Sequence, residues 1–526
     1  MNLQTLDYVA FIGFLLLVVG TSLWQSRKEK SSKDYFLAGR GLSWWVIGLS
    51  LIASNISTEH FVGMAGQGFK EGIGMAIASY EWIAALSLIL VAFFLLPRFL
   101  KAGIYTMPEY LEYRYNRTIR TLMSFIMLLF YVSITMATVL LLGAKPLEII
   151  FGLGANPIDF LGMQIHQGIW LIGLIAGAYT VYGGLKAVVW SDVIQATALI
   201  VGGIIVTILA LQEVGGWNEF VLKADGRLDA VLPANHHEYP WTAIFIGGMW
   251  IPNIFYWGLN QFITQRTLGA KSIREGQKGI LFGASLKLII PLIVVIPGIV
   301  AFELYGAEIG NDPDAAYPTL IKNILPVGLT GIMLAALFGA VMSTLDSLLN
   351  SAATLFTLDF YKPFINKEAS NDKLVKTGRI ATVVLMLIAC LWAPVITSFE
   401  GGMYKFIQQY WGYVQPGLTA AFLIGMFWKK VPPSAALAGI LINPPVYGYL
   451  LYAFPQTPFL HHMGICFLLS SAVMTIITLI KPLTVFKPIP VSAEVDFDLN
   501  DPIPTSLKIW SGLIVIGVIG LYIFFS

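Results

Sequence analysis

The sequence is poor in charge. Only 12% of its 526 residues are Asp, Glu, Lys or Arg, against about 25% in soluble globular chains, and 57% are hydrophobic. That excludes an ordinary water-soluble domain and indicates a polytopic membrane protein. Cysteine is nearly absent. Cys390 and Cys466 both lie in apolar runs, which argues against a disulfide framework. Long polar stretches are missing too. Those near 212–241, 303–324 and 482–507 are each too short to bury a core, so no soluble or signalling domain is expected. The zinc-peptidase spacing HExxH does not occur. His60 has no second histidine near it, and His236–His237 and His461–His462 fall in connecting loops, so an intramembrane enzyme is not expected. A net charge of +2 gives no basis for nucleic-acid binding.

What the chain has in abundance is membrane-length apolar runs. A span needs about 20 apolar residues. That ruler predicts an all-α membrane protein of about 14 helices, near 5–25, 43–65, 74–98, 120–146, 163–182, 186–211, 243–265, 279–303, 325–357, 376–397, 403–428, 433–454, 460–480 and 508–525. The first run, Leu6 to Trp24, is too long for a signal-peptide core and reads as a retained helix. Basic residues test the count. With both termini outside, 25 of the 32 Lys and Arg fall in inside loops. Six (Lys70, Lys145, Lys223, Arg227, Lys322 and Lys405) fall outside, and Lys287 lies within a span. That bias is what the positive-inside rule requires, and the reading is of a multi-pass plasma (inner) membrane protein embedded in the lipid bilayer.

One stretch breaks the apolar pattern, Ser50 to Gly68. Ser54, Asn55, Ser57, Thr58, Glu59 and His60 interrupt a membrane helix there, and glycines follow. Freed backbone groups find no partner in hydrocarbon, so such a break persists where its carbonyls and side chains hold an ion or a solute. A second break, with Gly247, Gly248, Pro252, Asn253, Gly258 and Asn260, falls five spans later. The spacing predicts a five-plus-five inverted repeat. Residues 1–42 would form an extra helix and cytoplasmic loop, 43–211 the first repeat, 212–242 an outside loop, 243–430 the second repeat, and 431–526 further helices.

Ionisable and amide groups inside spans mark function. Tyr80 and Glu81 interrupt the third span, Asp192 the sixth, Lys287 the eighth, and Gln408 and Gln409 the eleventh. Ser343, Thr344, Asp346 and Ser347 form a hydroxyl-and-carboxylate cluster in the ninth, and oxygen donors suit hard cations. His60, Glu81, Asn253, Lys287 and Gln408 together can satisfy hydroxyls that both donate and accept. The rings of Tyr256 and Trp257 can stack on an apolar sugar face. A neutral polyol or sugar fits these groups better than a fatty acid or a phosphate ester. Glu81 with Lys287 also admits a purely structural reading, as a buried ion pair.

These residues resemble the sodium:solute symporter family. The likeness rests on LIASNIS at 51–57, IASYEW at 77–82, YGGLKAVVWSDVIQ at 182–195 and NIFYWGLNQFITQRTL at 253–268. It continues through GASLK at 283–287, STLDSLLNSAATLFTLDFY at 343–361 and FIQQY at 406–410. It runs over essentially the whole chain and lies nearest the family's sodium/galactose and sodium/glucose members. It implies a LeuT-like core with alternating access and sodium-coupled uptake of a monosaccharide. The alternative within the family is another polar solute such as an amino acid, an organic acid or a vitamin. The implied solute site is His60, Glu81, Asn253, Lys287 and Gln408. Tyr256 would be the inner gate, supported by Tyr80 and Trp257. Sodium, co-transported, would meet the carbonyls of Ala53, Ile56 and Ala340 and the hydroxyls of Ser343 and Thr344. Asp192, Ser343, Asp346 and Ser347 are a candidate second sodium site. His60 stands where a bacterial galactose carrier has an amide, and Ala84 replaces a hydroxyl residue.

Overall fold

The computed structural model describes residues 4–26, 32–151, 158–160, 163–396, 402–486, 488–491 and 502–526. The inside-loop residues Arg27, Lys28, Lys30 and Lys487 lie outside that set. Among the described residues the fold is helical. The exception is one hairpin, Ile158–Phe160 with Met163–Ile165, paired antiparallel with Ile158 opposite Ile165.

Among the described residues ten helices are long and apolar enough to cross a membrane, and Trp44–Asn55, Gln167–Ala178 and Gln415–Phe427 are shorter apolar ones. The expected fifth and sixth spans are not separated by a loop. Both belong to one helical segment, Gln167–Glu213, of 47 residues. The expected seventh span is divided. A π-helical turn, Thr242–Ile246, is followed by Trp250–Gly258 and Gln261–Leu268, with breaks at Gly247–Gly248 and at Leu259–Asn260.

Burial sorts the helices into an enclosed core and a lipid-facing rim. In the most apolar 18 residues of Leu329–Ile365, 94% are buried, against 17% in Thr5–Ser22 and 22% in the corresponding part of Thr505–Phe524. Helix Leu329–Leu355 is therefore central, and it packs against Gln167–Glu213 and Trp44–Asn55. Asp7 docks the first helix onto it by accepting the Gly328 and Gly331 N–H groups at 2.7 and 3.1 Å.

Helix Ile273–Ile309 clasps both halves of the first broken helix. A Cβ on Gly279 would lie 2.8 Å from Ile47 and from the Trp44 carbonyl, and one on Gly298 would lie 2.1 Å from the Ala65 carbonyl. Glycine is needed at both places because backbone meets backbone there. Lys287 sits between the two contacts, opposite the break.

A candidate solute and cation site at the broken helix

The first break follows from its sequence. Helix Trp44–Asn55 stops where Ile56 turns extended, at φ −81° and ψ 91°. Helical bonding would then send the Ser57 N–H to Ala53 and the His60 N–H to Ile56. Instead Ser57 N–H donates to the Asn55 carbonyl at 3.1 Å, and His60 N–H to the Ser57 carbonyl at 3.0 Å. The Ser57 hydroxyl accepts the Glu59 N–H at 3.1 Å, stabilising the turn before the π-helical stretch Glu59–Met64. Both diversions release the carbonyls of Ala53 and Ile56, two of the expected sodium ligands. Facing them, the Thr344 hydroxyl donates to the Ser54 carbonyl at 3.3 Å. Ala340 and Ser343 lie on the same buried helix.

Two polar clusters flank the break. In the first, the Lys287 ammonium donates to Glu81 Oε2 and to Asn55 Oδ1 and sits 4.7 Å from the Trp257 ring centroid. His60 Nε2 lies 3.2 Å from Glu81 Oε1. Asn55 Nδ2 donates to the Tyr256 hydroxyl at 3.1 Å, and Tyr256 packs edge-on against Trp257 and Phe262. A lysine and a glutamate in contact leave the cluster electrically balanced. His60 Nδ1 is buried there without a hydrogen-bond partner. The arrangement thus offers donors and acceptors around a site of no net charge.

In the second, Asp192 accepts the hydroxyls of Ser50 and Ser343 at 2.5 Å each, and that of Ser54 at 3.3 Å. Arg266, wholly buried, stands 3.6 Å from the same carboxylate. Its Nε donates to Ser50 at 2.9 Å, its Nη2 to Ser347 at 2.6 Å and its Nη1 to the Phe262 carbonyl.

Of the expected solute residues, His60, Glu81 and Lys287 are thus brought together. Asn253 is buried but spends its amide on the Met249 carbonyl, 3.0 Å away in its own helix. Gln408 is half-buried on Met403–Trp411, and among the described residues no hydrogen bond joins it to the cluster. Tyr256 and Trp257 sit together as expected, but Tyr80 does not support them. Its ring packs instead on Tyr404 and Tyr239, centroids 5.7 and 6.1 Å apart, because it leaves its helix about 100° round from Glu81. The candidate second sodium site is divided. Asp192, Ser343 and Ser347 gather around the Arg266 guanidinium. Asp346 points the other way and accepts the Thr180 hydroxyl. Arg266 itself was expected in an inside loop, because its neighbours Gln261, Thr264, Gln265 and Thr267 are polar. Asn55, Ser50 and Ser54 were visible only as part of the polar break, although Ser50 and Ser54 share one helix face at a spacing of four.

Helices interrupted in mid-membrane, released carbonyls and a buried balanced charge pair define a membrane transporter of the broken-helix class. The chain belongs to the sodium:solute symporter family, whose profile matches residues 35–443. It is therefore a symporter rather than an enzyme. It is similar to the sodium/glucose cotransporter of Vibrio parahaemolyticus, 41% identical over an alignment of 507 positions that covers 91% of each chain. The sodium/myo-inositol cotransporter of Bos taurus is 32% identical over an alignment of 484 positions that covers 83% of this chain and 65% of that one. The solved structure of a Na+-coupled sialic acid symporter superposes with a TM-score of 0.78 at 23% identity, covering 92% of this chain and 100% of that one. This last likeness bears on the fold.

Proposed function

We propose that the protein carries a monosaccharide of the galactose or glucose type into the cell, driven by sodium. The observation that carries this reading is the Glu81–Lys287 pair with His60 and Asn55 at the break. It is a hydrogen-bonding site of balanced charge, which suits a neutral solute rich in hydroxyls. The likeness to a sodium/glucose cotransporter supports the same solute class. Asn253 and Gln408 complete the site on the two neighbouring helices, and Tyr256 over Trp257 closes it from the inside.

Sodium binds the released carbonyls of Ala53 and Ile56, with Ala340, Ser343 and Thr344 from the facing helix. It thereby ties the break to helix Leu329–Leu355. A ligand shifts a conformational equilibrium only by its differential affinity. Sodium therefore favours the outward-facing arrangement, and the solute then binds a preformed site. Arg266 already neutralises Asp192, so one sodium accompanies each solute. The two breaks belong to inverted repeats spanning 43–211 and 243–430, and both termini face outside. A cyclic polyol is the second reading, favoured by the likeness to a sodium/myo-inositol cotransporter.

Uptake of labelled galactose, glucose and myo-inositol into proteoliposomes, with an inward sodium gradient and then with potassium, tests this. Sodium-dependent accumulation of one of them, competed by the others, is expected. If none accumulates while sodium still raises the melting temperature, the solute belongs to another chemical class.

A further inference from the structure

The turn Pro313–Ala315 lies on the face expected outside, over the second half of the first broken helix. Its contact with that helix is backbone to backbone. A Cβ on Gly66 would lie 2.6 Å from the Pro313 carbonyl oxygen and 3.2 Å from Asp314 Oδ1. A Cβ on Gly402 would lie 3.5 Å from the same Oδ1. Asp314 Oδ2 accepts the Met403 N–H at 3.3 Å, at the start of Met403–Trp411, the helix that carries Gln408. Oδ1 is buried and has no hydrogen-bond partner. One carboxyl is therefore wedged between the broken helix, the Gln408 helix and its own turn; the residue as a whole is half-buried, and it is Oδ1 that is shut off from water.

The charged groups around it are few. Asp312 belongs to the same turn and pairs with Lys145 of Ala137–Phe151 at 2.6 Å. Lys70 follows the helix Ala65–Phe69, and Lys405, beyond Met403, pairs with Glu238 at 3.0 Å. On Glu59–Met64, His60 turns to Glu81 instead. Tyr317, on the helix that follows the turn, packs edge-on against Phe61.

We propose that Asp314 is a proton-operated latch that holds the outer side of the transporter closed. The sign follows from linkage. Burial pushes the closed-state carboxyl up to about 6. The Met403 N–H, Lys145 and Lys70 pull it down, and Asp312 raises it further. Once opened to water it returns to the ordinary aspartate value of about 3.9. The closed state therefore binds the proton more tightly. Its added stability is fully present below about pH 4 and is lost as the pH rises through about 6. Between pH 7 and pH 5 the closed-to-open ratio rises about tenfold. The proton also turns Oδ1 into a donor, removing a charge from a dry contact. The latch makes opening to the outside sensitive to outside acidity, independently of which solute is carried.

The test uses full-length protein in liposomes without sodium, spin-labelled at Asn311→Cys and Tyr452→Cys. Both are exposed positions, and the native Cys390 and Cys466 are buried. Pulsed electron resonance reads the distance between labels, which does not depend on transport. Expected is a shift of population toward the shorter distance, about tenfold in ratio from pH 7 to pH 5. Asp314→Asn is expected to hold the closed population high at every pH. Asp314→Glu, which keeps the carboxyl, is expected to retain a pH-dependent shift, and His236→Asn the wild-type shift. A pH-independent wild type, or an Asp314→Asn variant with the wild-type pH dependence, would overturn the latch. Because no solute enters the experiment, its outcome is separate from that of the uptake assay.

Discussion

The two polar clusters beside the first broken helix are built from similar parts but differ in what they leave over. Each pairs one carboxylate with one base inside the membrane, and each draws groups from the same short helix, Asn55 for the first and Ser50 and Ser54 for the second. Around Asp192 everything is used. Both carboxylate oxygens accept hydroxyls, and the Arg266 guanidinium reaches Ser50, Ser347 and the Phe262 carbonyl. Around Glu81 capacity remains, in His60 Nδ1, and aromatic rings border it. A network with every donor and acceptor engaged holds helices together. One with donors and acceptors in reserve can take a solute's hydroxyls in exchange. The choice of base fits the division. Arginine's planar fork locks several partners at once, whereas lysine's compact ammonium rearranges around a ligand.

Breaking the saturated cluster has the largest expected effect on stability. Arg266→Ala strands Asp192 in the membrane core and should destabilise the protein by about 3–5 kcal/mol. Thermal unfolding in detergent measures this, and the double variant Arg266→Ala with Asp192→Ala should recover most of the loss. The equivalent double variant in the other cluster, Lys287→Ala with Glu81→Ala, sharpens the contrast. It should fold with near-normal stability yet lose uptake by about a hundredfold to ten-thousandfold, since two hydrogen bonds to charged groups are worth about 1.5–3 kcal/mol each. Recovery of uptake there would move the solute site elsewhere. The smallest change concerns the cation. Thr344→Ala should raise the sodium concentration for half-maximal uptake roughly tenfold, the equivalent of about 1.4 kcal/mol, with solute affinity at saturating sodium unchanged.

Much of this contrast was legible in the sequence. The break stands out because six polar residues interrupt an apolar run, and Glu81 and Lys287 because each is a lone charge among aliphatics. The Ala53 and Ile56 carbonyls could be placed only through a resemblance, and the diverted Ser57 and His60 N–H groups give the physical reason. Arg266 stayed hidden because its own turn, with Gln261, Thr264, Gln265 and Thr267, is as polar as a loop, and its partner lies far away in sequence. The direction of Tyr80 was not legible either. Its partners Tyr239 and Tyr404 arrive from distant segments, and only their packing decides which way the ring turns. Asp346 parts from Ser343 and Ser347 for a related reason. Residues three and four apart share a broad helix face, but two different neighbours, the Asp192 region and Thr180, divide it between them.

The saturated cluster also has a consequence for how the chain is made. An arginine entering a bilayer unaccompanied costs about 2.5–3.5 kcal/mol on insertion scales. Ser50 and Asp192 both precede Arg266 in the sequence, and Ser343 and Ser347 follow it. A ribosome therefore delivers the acceptor before the guanidinium. The segment Gln261–Leu268, too polar to enter lipid on its own, can be drawn in against helices already threaded through the membrane. In this half of the molecule the acidic partner is thus synthesised ahead of its base.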